Sequence, residues 1–199
     1  MAGLDFKKDV LPFITATAGE FLALYYWLQF WDDGNRVLAS IVLWAGFLVE
    51  RISVYLWLQL VYRPKEGVAS QATPLWQTAL GLIAITLTEI LIWVLWLWLA
   101  DDVNFWLAAG VLLVLMLGEH SWEMSLVKKT KPLSYVTDRK TIFYTLIETA
   151  GGVAWLWLVR DGEPLWGGLI LLAALSVEHV LQGSQLKPDV SNEAPTPAV

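Results

Sequence analysis

The sequence predicts an all-α membrane protein of six transmembrane helices, and three observations carry this prediction. Hydrophobic residues make up 57% of the chain and charged residues only 16%, a balance typical of a polytopic membrane protein. Six apolar segments are each long enough to cross a hydrocarbon core of about 30 Å as helices. In addition, paired glutamates recur in three copies of one helical hairpin.

The apolar segments and the turns between them set the order of the helices. The predicted spans cover residues 10–31, 37–62, 74–100, 103–127, 142–159 and 165–186. Short acidic turns alternate with longer basic segments, which divides the chain into hairpins at about 10–62, 74–127 and 142–186. Together they predict one membrane domain over residues 1–186. The Pro-rich polar segment 187–199 is expected to be a disordered cytoplasmic tail.

The three hairpins carry polar residues at matching positions. Each first helix has a threonine followed three residues later by a glutamate, and each second helix has a glutamate 30 residues further on. The equivalent sets are Thr17, Glu20 and Glu50, then Thr86, Glu89 and Glu119, then Thr145, Glu148 and Glu178. The next residue is Arg51 in the first copy and His120 or His179 in the others. This repeat predicts a pseudo-threefold bundle, because no hairpin can bury its polar face alone.

The distribution of basic residues predicts the orientation in the membrane. Only Arg36 and Arg160 lie in the short turns. The termini and long segments hold ten, namely Lys7, Lys8, Arg63, Lys65, Lys128, Lys129, Lys131, Arg139, Lys140 and Lys187. The positive-inside rule therefore places both termini in the cytoplasm of a multi-pass plasma-membrane protein. Tryptophans before the short turns are expected to form the outer aromatic belt, namely Trp27, Trp31, Trp96, Trp98, Trp155 and Trp157.

The intramembrane glutamates are the candidate functional residues. The predicted membrane layer contains Arg51 and seven carboxylates, namely Glu20, Glu50, Glu89, Glu119, Glu123, Glu148 and Glu178. An acidic residue at a helix centre costs about 2.5–3.5 kcal/mol on insertion scales. These groups must therefore be protonated or be neutralised by bound cations. Helical rise places the repeated glutamates at one depth, roughly 20 Å below the short turns.

We therefore predict that the repeated glutamates bind a cation or protons, in a small transporter or channel. Carboxylates are hard ligands for Ca²⁺, Mg²⁺ or Mn²⁺ and are equally suitable proton carriers. The threonines of the repeat, with Arg51 and Glu123, are expected to support this layer. The expected partners are the lipid bilayer and a small cation or protons, and a homo-oligomer or a larger membrane complex stays open.

Two alternatives remain open at this stage. His120 and His179 are the only histidines, and with Glu89, Glu119, Glu148 and Glu178 they supply the donors of a di-iron or di-manganese site, without its usual Glu-x-x-His spacing. The same histidines could ligate a haem or a chlorophyll-type pigment axially, in a redox or pigment protein. The second alternative is a structural subunit of a larger complex, whose neutral glutamates hydrogen-bond to neighbouring helices.

Missing residue types and motifs narrow the function classes further. The chain contains no cysteine, which excludes disulfides, thiol catalysis and thiolate metal sites. A Gly-rich phosphate loop and a serine elbow are absent from the sequence, and no pattern indicates nucleic-acid binding. The sequence favours a role other than catalysis and leaves the question of an enzyme open.

Overall fold

The chain folds into six helices that follow the predicted segments. The computed structural model describes residues 11–61, 75–128 and 130–186. The helices are α1 (Leu11–Asp32), α2 (Arg36–Val61), α3 (Leu75–Asp102), α4 (Phe105–Val127), α5 (Arg139–Arg160) and α6 (Pro164–Leu186). Every boundary lies within three residues of its prediction, and the all-α prediction is confirmed for these ranges. The predicted basic loop 63–73 and the tail 187–199 lie outside the described residues.

Five of the six helices are long and apolar enough to cross a membrane. The qualifying segments are Arg36–Val54, Ile83–Asp102, Phe105–Val127, Arg139–Arg160 and Pro164–Gln185. Helix α1 has a comparable length of 22 residues but is not among them. It packs against α2 and α6, which both contain qualifying segments. The chain is therefore a multi-pass membrane protein by the length and hydropathy of five helices, and α1 as a sixth span stays a prediction.

The helices form a closed ring of three hairpins. The most extensive contacts lie within the pairs α1 and α2, α3 and α4, and α5 and α6. Smaller contacts join α2 to α3, α4 to α5, and α6 back to α1. Each helix therefore turns one face to its neighbours and one face to the interior of the ring.

The helices of two hairpins approach so closely that only glycine fits between them. A Cβ atom at Gly46 of α2 would lie 2.2 Å from the Cβ atom of Ala23 and 2.6 Å from the carbonyl oxygen of Gly19 in α1. At Gly151 of α5, a Cβ atom would lie 2.1 Å from that of Ala174 in α6. Small residues allow backbones to approach in this way, which is a common device of membrane helices.

The half of the ring interior nearest the short turns is an apolar core. Trp27, Trp96 and Trp155 are at most 1% exposed and pack there among leucines of all three hairpins. The prediction that these three belong to the outer aromatic belt is therefore wrong, whereas Trp98 and Trp157 are 49% and 60% exposed. The reason is their helix face. Each buried tryptophan follows the first glutamate of its hairpin by seven residues, or two helical turns, and so shares its inward face.

We expect Gly46→Ala to lower the free energy of unfolding by about 1–3 kcal/mol, because the added methyl group would push α1 away from α2. Gly110→Ala is the matched control, since a Cβ atom there meets no atom within 4 Å. The measurement is denaturant or thermal unfolding in detergent micelles. Equal stability of the two variants would contradict the close approach of α1 and α2.

Candidate functional site

The structure brings all six repeated glutamates together inside the ring. Their exposed fractions lie between 2% and 4%, and Arg51, Glu123, His120 and His179 are buried with them. We call these ten residues the carboxylate layer. The second-helix glutamates point inward because each follows a fully buried apolar residue by three positions, namely Phe47, Met116 and Leu175. The predicted site residues therefore share one polar centre and do not reach separately toward lipid headgroups.

Arg51 binds the carboxylates of α2, α3 and α4. Its Nη2 atom lies 2.6 Å from Glu89 Oε2 and 3.0 Å from Glu119 Oε1. Its Nη1 atom donates to Glu123 Oε1 at 2.6 Å, and its Nε atom lies 3.4 Å from Glu50 Oε2. One guanidinium thus faces four carboxylates and balances the charge of only one of them.

His179 on α6 lies between the first and third hairpins. Its Nδ1 atom is 2.9 Å from the carbonyl oxygen of Leu175 and 3.2 Å from Thr17 Oγ1. Because a carbonyl oxygen only accepts hydrogen bonds, Nδ1 carries a hydrogen. In the neutral ring the lone pair then lies on Nε2, which is 3.7 Å from oxygens of both Glu20 and Glu50.

His120 on α4 repeats this arrangement against α5. Its Nδ1 atom lies 2.8 Å from Thr145 Oγ1, which donates its own hydrogen to the carbonyl oxygen of Thr141. Thr145 therefore accepts from Nδ1, which again leaves Nε2 to face carboxylates. The Nε2 atom lies 3.2 Å from Glu148 Oε2 and 3.7 Å from Glu119 Oε2.

The threonines of the repeat differ in what they contact. Thr17 and Thr145 each bind a histidine of another hairpin. Thr86, at the equivalent position of α3, is fully buried, and its hydroxyl has no hydrogen-bond partner within the described ranges. The support predicted for these threonines thus goes to the two histidines.

Several buried oxygen atoms of the layer accept no hydrogen bond from any residue that the structure describes. Within the part of the chain that the structure describes, Glu50 Oε2, Glu119 Oε2 and Glu148 Oε2 accept no hydrogen bond. An unsatisfied buried polar group costs about 1–3 kcal/mol, and a charged one costs more. Two trios also bring one potential ligand atom of each residue within 4.8 Å of the others, namely Glu20, Glu178 and His179, and Glu20, Glu89 and Glu148. Bound cations or protons would satisfy these oxygens.

The surroundings of the histidines fit an ion better than a macrocycle. A haem or chlorophyll-type ring needs a flat apolar slot beside the ligating nitrogen. Here the Nε2 atoms of His120 and His179 face carboxylates from neighbouring helices at 3.2–4.0 Å. The donor set of nitrogen and carboxylate oxygen is that of a metal or proton site.

Polar residues continue from the layer toward the long-loop end of the ring. Gln182 Nε2 donates to Glu123 Oε2 at 2.9 Å, one turn beyond Glu178. Gln185, a further turn along α6, donates to Asp138 Oδ2 at 2.8 Å. Although partial burial favours the neutral acid, hydrogen bonds from Thr141 and from the Lys140 backbone hold the pKa of the Asp138 carboxyl below its usual value. The ionised carboxylate of Asp138 therefore lies at the long-loop end of this series of polar residues.

Comparison with protein-family models, curated proteins and solved structures found no match. The function is therefore inferred from the geometry of the carboxylate layer.

Gln185 and Asp138 are polar residues of the site that were not predicted from the sequence. The signal for Gln185 was its spacing, since residues 178, 182 and 185 follow one face of α6.

We expect Arg51→Gln to destabilise the fold by about 3–5 kcal/mol, because it leaves buried carboxylates without their counter-ion. The matched control is Arg160→Gln, which removes a 40% exposed arginine that pairs with Asp32 at 2.7 Å. An exposed pair contributes at most about 1 kcal/mol. Denaturant unfolding in micelles measures both variants, and an equal loss of stability would show that Arg51 is not a buried counter-ion.

Proposed function

We propose that the chain is a membrane transporter that binds a cation or protons at the carboxylate layer and carries them across the bilayer. The main support for this proposal is the charge balance of the buried carboxylate layer. Seven glutamates lie there with one arginine and two histidines. Even with both histidines protonated, four negative charges remain. Because such charges are expensive in an apolar interior, protons or cations must bind among them.

The two ends of the ring favour a transporter over an open channel. Toward the short turns, the tryptophan core separates the carboxylate layer from the surface. Beyond that core, Arg160 binds Asp32 and Asp101, so the ends of α5, α1 and α3 are tied together. Toward the long loops, polar residues lead outward from Glu123 through Gln182. A site with polar access from one side fits alternating access, whereas conduction needs a continuous path.

The contacts between hairpins support the proposal that the three hairpins are copies of one unit. Thr17 binds His179, and Thr145 binds His120. In both cases the first helix of one hairpin meets the second helix of the preceding hairpin around the ring. Equivalent residues thus make equivalent contacts across different interfaces, which is expected of pseudo-threefold packing.

We expect Glu20→Gln and Glu148→Gln to lower cation or proton flux into liposomes by about tenfold or more, since losing even a group that only orients a metal ligand typically costs 10–100-fold. Each change keeps the shape of the side chain and removes its charge. Glu163→Gln makes the same chemical change at an exposed turn and should leave the flux unchanged. Flux that is equal in all three variants and the native protein would remove the layer from the mechanism.

We also propose that the short turns face the outside and that both termini are cytoplasmic. The natural chain has no cysteine, so one introduced thiol reports one position. Val103, in a short turn, and Val136, in the long loop before α5, are 55% and 39% exposed. In intact cells, an impermeant thiol reagent should label Val103→Cys and not Val136→Cys. Labelling of both positions after permeabilisation is the control, and the reverse pattern in intact cells would invert the orientation.

A further inference from the structure

We infer that the carboxylate layer binds two divalent transition-metal cations, one beside His120 and one beside His179, and that Arg51 takes the place of a third. This inference rests on the proposed function and names the class of its cation. It depends on the direction in which each imidazole points, on the distances to the carboxylates and on the equivalence of the three hairpins.

The environment of His179 is that of a metal-ligating histidine. Such histidines typically donate their other ring hydrogen to a backbone carbonyl or another acceptor, which fixes the tautomer. His179 does this through Nδ1 and the carbonyl oxygen of Leu175 at 2.9 Å. Its Nε2 atom lies 3.7 Å from Glu20 and Glu50, which is too long for a hydrogen bond. Two ligands that each lie about 2.1 Å from one metal are roughly 3.0–3.6 Å apart, close to this spacing.

His120 has the same arrangement in a different interface. Its Nδ1 atom donates to Thr145 Oγ1, and the two atoms are 2.8 Å apart. On the opposite side of the imidazole, His120 Nε2 lies 3.2 Å from Glu148 Oε2, a buried atom that accepts no hydrogen bond from any described residue. Glu119 Oε2 is 3.7 Å from the same nitrogen and also accepts none. Two carboxylate oxygens without a hydrogen-bond partner thus lie within 3.7 Å of the Nε2 lone pair, and a cation bound beside this nitrogen would satisfy them.

The donor atoms select the class of cation. Ca²⁺ and Mg²⁺ prefer oxygen ligands alone, whereas imidazole suits Zn²⁺ and Fe²⁺, and carboxylates suit Mn²⁺. Each proposed position offers one imidazole nitrogen and at least two carboxylates. A mixed set of this kind favours divalent transition metals over alkaline-earth ions.

At the third equivalent position, the guanidinium of Arg51 supplies a permanent positive charge in place of a bound metal ion. It follows Glu50 as the histidines follow Glu119 and Glu178. Its guanidinium enters the layer and contacts Glu89 and Glu119, where a metal would otherwise bind. Thr86 should pair with a third histidine by analogy with Thr17 and Thr145, and its hydroxyl has no hydrogen-bond partner in the described ranges.

Glu123 balances part of the positive charge of Arg51. The equivalent positions, four residues after the second-helix glutamates, hold Val54 and Gln182 in the other hairpins. Glu123 accepts from Arg51 Nη1 at 2.6 Å. Arg51 and Glu123 thus add one positive and one negative charge between the first and second hairpins, at positions whose equivalents hold no arginine or glutamate. Glu123 therefore serves as a counter-ion of Arg51.

The first experiment counts metal ions bound to the full-length protein in detergent. The protein is stripped with a chelator, titrated with Mn²⁺ or Zn²⁺ and analysed by calorimetry and elemental analysis. We expect two ions per chain, and one ion per chain for His120→Gln and for His179→Gln. Glu163→Gln should retain two, and circular dichroism checks that each variant is folded. Ca²⁺ and Mg²⁺ should bind at least about tenfold more weakly.

Absence of Mn²⁺ and Zn²⁺ binding, or binding that ignores both histidine variants, would overturn the inference. Flux measured on the same preparations separates this result from failure of the proposed function. If Glu20→Gln still abolishes flux of protons or another cation, the transporter proposal stands and only the metal assignment falls. If flux also ignores Glu20, both fall.

The threonines test the third position without altering its charges. Thr145→Val should weaken the binding of one metal ion by about 10–100-fold, since it removes the acceptor that orients His120. Thr17→Val should have a smaller effect on the other ion, because the Leu175 carbonyl oxygen still accepts from His179 Nδ1. Thr86→Val should leave both affinities unchanged, because the position equivalent to that of the two histidines holds Arg51 in the first hairpin. An equal effect of all three variants would contradict the assignment of Arg51.

A gain of binding is the strictest test of the same assignment. Arg51→His alone leaves Glu123 unbalanced and could prevent folding. The double variant Arg51→His with Glu123→Gln removes one charge of each sign and copies the residues of the third hairpin. We expect it to bind three ions in place of two. A folded double variant that still binds two would refute the claim that Arg51 replaces a metal ion.

Discussion

The structure depends on one constraint, which is that a layer of buried carboxylates must be made neutral inside an apolar ring. Seven glutamates cannot remain charged side by side without partners. Arg51 meets this constraint permanently for one part of the layer, through contacts with α3 and α4. The rest is left to imidazoles and to whatever positive charge binds. Under the proposed function, stability and ion binding are coupled, because the same groups that hold the hairpins together would bind the ion.

The closed ring explains why three hairpins are present. A single hairpin exposes its glutamates and threonines to lipid, and two hairpins leave an open side. With three, each first helix contacts the second helix of a neighbouring hairpin, and polar residues pair across that interface. The close contacts at Gly46 and Gly151 bring the two helices of the first and third hairpins near each other.

Much of the fold and of the layer could be predicted from local patterns, because apolar length sets helix boundaries and the repeat places glutamates at one depth. The contacts of Thr17 with His179 could not, since sequence does not say which helices are neighbours. Trp27 was misplaced for a different reason. Its depth suggested the membrane interface, whereas its face, two turns from Glu20, decides that it is buried. The role of Arg51 needed the side-chain geometry of three helices.

The tryptophan core has a consequence for how an electric potential acts on this protein. Polar side chains near Gln182 and Asp138 raise the local dielectric on one side of the carboxylate layer, whereas indole and leucine side chains occupy the other. A transmembrane voltage therefore falls mainly across the indole side. If the layer carries ions as proposed, an ion that leaves it in that direction would cross most of the voltage in one step, at about 2.3 kcal/mol per charge for each 100 mV. Under the same proposal, binding of the ion from the opposite side would be nearly insensitive to voltage.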